Sequence, residues 1–158
     1  MRLVTLAALL LSAPSSFALT NDVSAISKLD LDETITVSGL SSGAYMAGQY
    51  HQAFASQVKG VAMLAGGPVY CAQNSLGLAL EHCFNKATSA PDMASINQYI
   101  KTQQNSGMLA SLDALANDKV WIFHGTKDTT VAAPVSDALA NQYQSLLPKN
   151  NVVHIKDK

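Results

Sequence analysis

The chain has 158 residues, 48% of them hydrophobic and only 13% charged, with a formal net charge of −1. That length bounds it to one domain. The near-neutral balance, with no cluster of Lys and Arg, excludes a nucleic-acid surface, and ordinary Gly and Pro numbers exclude collagen-like and disordered compositions.

Met1 and Arg2 begin the chain with a positive charge, and Leu3 to Leu11 are apolar apart from Thr5. Ser16-Phe17-Ala18 then gives a small-x-small cleavage pattern. This reads as a signal peptide over residues 1–18, with the mature chain at 19–158. The apolar run is well short of the ~20 residues that span a bilayer, and no later segment reaches that length. The expected location is therefore secreted or extracellular, with the periplasm as an alternative. Such compartments are oxidising, and the only two cysteines are Cys71 and Cys83. A bridge between them would contribute ~3 kcal/mol in the loop-entropy model. The competing reading is two buried free thiols. Two cysteines do not make a zinc site, and His82 abuts Cys83 instead of standing at a ligand spacing. No metal or other cofactor is expected.

The mature chain alternates in type. Thr34-Ile35-Thr36-Val37 is β-branched and predicts a strand. A helix follows the next few residues, with Ala47, Tyr50, Phe54 and Val58 recurring as its apolar face. Val61 to Ala65 is an unbroken apolar run, as in a parallel strand covered on both faces, and Gly66-Gly67-Pro68 ends it. The cysteine loop shows no strong regular pattern. Ser89-Ala90-Pro91-Asp92 carries helix-start signals, with a hydroxyl cap, an early proline and an acid. Met93, Ile96 and Ile100 form the inward stripe of that helix, and Gly107 stops it. Val120 to Phe123 predicts a buried strand. A helix begins near Pro134, with Val135, Ala138, Leu139 and Leu146 facing inward, and Asn151 to Ile155 starts a last strand. Strands alternating with helices imply a parallel sheet joined by crossovers.

Gly39-Leu40-Ser41-Ser42-Gly43 matches G-x-S-x-G. The pattern is weak alone, but here it lies between a predicted strand and a predicted helix, where a nucleophile elbow must be. The glycines allow the sharp turn and the close approach of helix to strand. Ser41 becomes the candidate nucleophile, and the backbone N–H of Ser42, at the helix start, the candidate oxyanion donor. The competing reading is an ordinary Gly-Ser turn. A serine nucleophile needs a base and an orienting carboxylate. Asp128 follows the strand Val120–Phe123, which places it at the same sheet edge as Ser41; otherwise it is a solvated acid or a helix cap. The base is not evident. His51 lies two turns down the elbow helix and is expected to be partly exposed. His82 is in the cysteine loop, and His124 is a strand-end residue. His154 has the right chain order but lies within a strand, so the base is expected beyond Lys158.

The stretch Val37 to Ala47 resembles the elbow of extracellular poly(3-hydroxybutyrate) depolymerases, in their circularly permuted type of catalytic domain. Ala65-Gly66-Gly67-Pro68-Val69-Tyr70-Cys71-Ala72-Gln73 and His124-Gly125-Thr126-Lys127-Asp128-Thr129-Thr130-Val131 resemble two further segments of that family. The resemblance implies a three-layer, mostly parallel α/β-hydrolase sheet of which residues 19–158 form the N-terminal part. It implies Ser41 as nucleophile, Asp128 as triad acid and Ser42 as an oxyanion donor. The implied function is a serine esterase hydrolysing poly(3-hydroxybutyrate) or a related aliphatic polyester through an acyl-enzyme. The alternatives are a carboxylesterase acting on short acyl or feruloyl esters, and an inactive polymer-binding fragment. The expected partner is the ester substrate, with no nucleic acid and no membrane span. Nothing in the sequence sets an oligomeric state.

Overall fold

The computed structural model describes residues 34–84 and 90–157. The signal segment 1–18 and Ser89 lie outside these residues. The elements are β1 (Ile35–Leu40), α1 (Ser42–Ala53), β2 (Val58–Leu64), α2 (Leu76–His82), α3 (Met93–Asn105), β3 (Lys119–Gly125), α4 (Ala133–Gln144) and β4 (Val152–Asp157). Short 3-10 turns at Leu112–Leu115 and Lys149–Asn151 precede the last two strands. The four strands are all parallel, in the order β1-β2-β3-β4. Parallel neighbours cannot be joined by a hairpin, so each connection crosses over through at least one helix.

A sheet that advances one strand at a time, with crossovers of one hand, receives its connecting helices on one face. Burial follows that rule. Val61, Met63, Val120, Ile122 and Val152 are buried against Ala47, Ile96, Leu139 and Tyr143 in a single core cluster. Their strand neighbours Ala62, Leu64, Trp121 and Phe123 are half-buried, and Val153 and Ile155 are exposed. The unbroken apolar runs of β2 and β3 suggest cover on both faces. Among the described residues the helices cover one, and the strands alternate accordingly.

The helix starts differ from expectation in instructive ways. The cap of α3 is Asp92, whose Oδ1 accepts from the N–H groups of Ala94 and Ser95 at 3.1 and 3.2 Å. The Ser95 hydroxyl, donating to Asp92 Oδ2 at 2.7 Å, and then these backbone bonds hold its carboxyl below the ordinary carboxylate range. Gly107 does end that segment, at φ 75°. Helix α2, within the cysteine loop, buries none of its residues. It has no apolar periodicity to announce it, and only the Ser75 side chain, accepting from the Leu78 N–H at 3.3 Å, marks its start.

The inward face of α1 is not the predicted one. Tyr50 and Phe54 are exposed, their rings tilted against each other with centroids 4.5 Å apart, and Val58 belongs to β2. The buried side is Ala44, Ala47, Gly48, His51 and Gln52. Small residues win because the helix lies close over the sheet: a Cβ on Gly48 would stand 3.1 Å from the Met63 sulfur.

Candidate active site

Ser41 occupies the single residue between β1 and α1. Its backbone is left-handed in φ, at φ 55° and ψ −120°, a conformation that costs a non-glycine residue on the order of 1 kcal/mol or more. Neighbours hold it there. The Ser41 N–H donates to the Leu64 carbonyl at 2.9 Å, extending the β1–β2 ladder through the turn, and the Ser41 carbonyl accepts from Ala44 N–H at 2.9 Å to start the helix. A Cβ on Gly39 would overlap the backbone of Gly43, so this position is sterically obliged to be glycine. Gly43 is different, since a Cβ there would meet nothing within 4 Å. Ser42 is the first helical residue, so its N–H has no acceptor within the helix and faces the Ser41 turn.

Asp128 follows β3, two strands from β1, which separates the strand axes by about 10 Å. Its Oδ1 accepts from Thr130 and Val131 N–H at 2.7 and 3.0 Å. This Asx-type turn fixes the carboxylate and leaves Oδ2 outside those bonds. Its charge reaches the elbow helix: the Tyr45 hydroxyl is held well above its ordinary pKa, by burial first and by the Asp128 charge second. Tyr45 also ties the elbow to the cysteine loop, its hydroxyl donating to the Cys83 carbonyl at 2.5 Å. Cys71 and Cys83 form a disulfide with a Cα–Cα distance of 6.1 Å, as the oxidising-compartment reading expects.

Among the described residues no histidine is hydrogen-bonded to Ser41 or to Asp128. His154 lies on β4, three strands from β1 and so about 14 Å away laterally. It faces α4, with Nε2 3.0 Å from Ser136 Oγ and Nδ1 4.0 Å from Asp137. His124 is buried. His51, expected to be partly exposed, is fully buried. Its Nε2 stands 3.2 Å from Asp118 Oδ2 and its Nδ1 3.1 Å from the Tyr143 hydroxyl. The tautomer protonated on Nε2 satisfies both contacts, donating to Asp118 and accepting from Tyr143. Burial holds the His51 pKa below its ordinary value, and the neighbouring Asp118 opposes that shift without reversing it. The sequence reading missed this pair. Its one available signal was a charged Asp118 directly before an apolar strand.

No group of three or more His, Cys, Asp or Glu is arranged to hold a metal among the described residues. None of the described helices is long and apolar enough to cross a membrane.

A parallel α/β sheet with a strained serine between its first strand and helix, and an anchored acid two strands on, places the chain in the α/β-hydrolase-like class. No family model matches it. The poly(3-hydroxybutyrate) depolymerase of Delftia acidovorans is 40% identical over 131 residues, 82% of this chain and 26% of that protein. A polyhydroxybutyrate depolymerase of Talaromyces funiculosus is 30% identical over 123 residues, 77% of this chain and 34% of that one. The crystal structure of PHB depolymerase from Penicillium funiculosum superposes with a TM-score of 0.67 at 30% identity, over 78% of this chain and 37% of that chain. A PHB depolymerase variant complexed with an R3HB trimer gives 0.68 at 29% identity, with the same coverage. In sequence and in fold the chain is a homologue of the poly(3-hydroxybutyrate) depolymerases. It spans about a quarter to a third of the length of the curated relatives it matches.

Proposed function

We propose that this chain carries the nucleophile and the acid of an exported serine ester hydrolase acting on poly(3-hydroxybutyrate) or a related aliphatic polyester. The reading rests above all on Ser41, held at φ 55° at the junction of β1 and α1, a strained backbone of the kind that clusters at functional sites. In this mechanism Ser41 Oγ attacks the ester carbonyl carbon as an imidazole takes its proton. The tetrahedral oxyanion accepts from the Ser42 N–H at the positive end of α1. The imidazolium then protonates the departing alkoxide, and water hydrolyses the acyl-Ser41 ester by the reverse proton path. Asp128, with one oxygen committed to backbone N–H groups, uses the other to orient the imidazole. No cofactor takes part. The Cys71–Cys83 bridge and the apolar N-terminal run support a site of action outside the cytoplasm.

The test is labelling with a fluorophosphonate, together with a polymer-clearing assay set beside soluble short-chain esters. Labelling that is lost in Ser41→Ala supports the nucleophile. Equal labelling of parent and variant rejects it. Turnover of short esters without clearing of polymer assigns the protein to the general carboxylesterases.

A further inference from the structure

A helix packed among neighbours normally turns its apolar side to them and its polar side to water. Helix α3 departs from that rule. Asn97, Ile100, Lys101, Gln104 and Asn105 recur at three and four residues, so they share one side of the helix. That side lines a cleft of about 510 Å³, although only Ile100 among the five is apolar. The other walls come from the Leu112–Leu115 turn, the end of α4 and Gln52 of α1. Polar side chains pressed on a dry neighbour would go unsatisfied, so a polar side turned toward other elements calls for water or a ligand between them. The volume falls within the ~300–1,000 Å³ of small-molecule sites.

Two amides lie deepest. Gln142, 2% exposed, is fully engaged. Its Oε1 accepts from the Val69 N–H at 2.8 Å, and its Nε2 donates to the Val69 carbonyl at 3.3 Å and to Asn97 Oδ1 at 3.4 Å. Gln52, 1% exposed, is not engaged: neither its Nε2 nor its Oε1 has a hydrogen-bond partner among the described residues. The Tyr143 hydroxyl lies close enough to feel the Gln52 amide, but its bonds are with His51 and the Gly48 carbonyl. Buried polar atoms are expensive to leave unpaired. The terminal torsion of a glutamine is soft, so the amide can turn toward an arriving partner. A ligand that brings a donor and an acceptor side by side therefore meets a demand that the fold leaves open.

Neighbouring hydroxyl groups fit that demand. Each is donor and acceptor at once, and a pair of them matches the adjacent N–H and C=O of a carboxamide. The amides of Asn97, Gln104 and Asn105 repeat the pattern along α3, while Ile100, Leu112 and Leu146 supply apolar surface for the C–H faces of a ring. The charged residues described at the rim, Lys101 and Asp113, are exposed and opposite in sign, which selects neither an anion nor a cation. Gln52 stands eleven residues from Ser41, about 16 Å along the axis of α1, so the cleft is separate from the elbow.

We propose that this cleft is a second binding site, for an uncharged polyhydroxy ligand of the monosaccharide or disaccharide class, with Gln52 as its buried polar anchor. Nothing in it depends on Ser41 or on the esterase reading. The probes are D-glucose and maltose, titrated into the full chain and followed by NMR through the side-chain NH₂ signals of Gln52, Asn97 and Gln104. The expected result is saturable shifts of these signals. Gln52→Leu keeps the bulk and removes both polar atoms; it should leave the chain folded and weaken sugar binding about tenfold or more. Gln104→Trp, from the half-buried side of α3, fills the cleft and repeats the test if Gln52→Leu does not fold. Shifts that grow linearly with both sugars and never saturate overturn the site, as does a folded variant that binds them as tightly as its parent. Saturation by N-acetylglycinamide with no response to either sugar overturns the saccharide class.

Discussion

At the carboxyl ends of the strands a serine and an aspartate stand partly open to solvent, each held by backbone bonds and neither, among the described residues, hydrogen-bonded to a histidine. At the amino ends a histidine and an aspartate are sealed under α1 and α4, paired with each other and with the Tyr143 hydroxyl. Both regions contain the residue types of acid–base chemistry. Only the first has a partly open hydroxyl in a left-handed turn. The second has every contact a neutral imidazole can make and no access for a ligand. Its design is that of a satisfied polar network inside a core, whose cost appears when one partner is removed. On the proposed reading, reactivity tracks strain and access rather than the mere proximity of a histidine to a carboxylate.

Four measurements sharpen or break this contrast. The largest effect is expected for Ser41→Ala: loss of fluorophosphonate labelling and a fall in ester turnover of about 10⁴-fold or more, with the urea midpoint held or raised. A variant that unfolds instead would make Ser41 structural and erase the contrast. Next is His51→Ala, which leaves the Asp118 carboxylate buried with only Lys59 at 3.6 Å. The expected loss is about 3–5 kcal/mol in urea denaturation, with undiminished Ser41 labelling of the folded fraction. A labelling defect with intact stability would move His51 into the chemistry.

Replacing both cysteines by serine should cost about 2–3 kcal/mol, since the bridge closes a loop of sequence separation 12. Ser41 labelling of the folded fraction should be undiminished, because the elbow is held by β2. The smallest effect is with pH. Burial depresses the His51 pKa, so as pH falls the unfolded chain takes up its proton near 6.5, before the folded chain does. Stability is complete above that value and declines as pH drops through it, by less than about 1.4 kcal/mol per pH unit for one proton. His154, also depressed mainly by burial, adds in the same direction. Urea midpoints at pH 7.5 and 5.5 measure the slope, and His51→Gln should flatten it. An unchanged slope in that variant would assign the effect to His154.

Much of the fold was legible because local signals agreed. The β-branched and apolar runs found all four strands, and the ladders then carried each two or three residues further than its side chains advertise. The elbow was legible because Gly39 is obliged by a backbone overlap that no other residue survives. The inward stripe of α1 was misread for a reason of distance. Hydropathy favours Tyr50 and Phe54, whereas the inner side of this helix takes Ala44, Ala47 and Gly48 where it lies close over the sheet, and His51 and Gln52 at its far end. Helix α2 was missed because it buries nothing and so leaves no period.

The sequence alone determined the order of the four strands, the helices α1, α3 and α4 between them, and the serine turn between the first two elements, and it favoured pairing of the only two cysteines. These depend on neighbours in the chain: β-propensity, a glycine at a forced approach, a short loop. Tertiary structure decided where each histidine went. His51 meets Asp118 across a separation of 67 residues and Tyr143 across 92, contacts created only when three helices settle on one face of the sheet. The same stacking carried His154 to the far strand. Spacing along a chain cannot encode such meetings, because they are fixed by how crossovers pack and by which polar groups then have to be satisfied out of water.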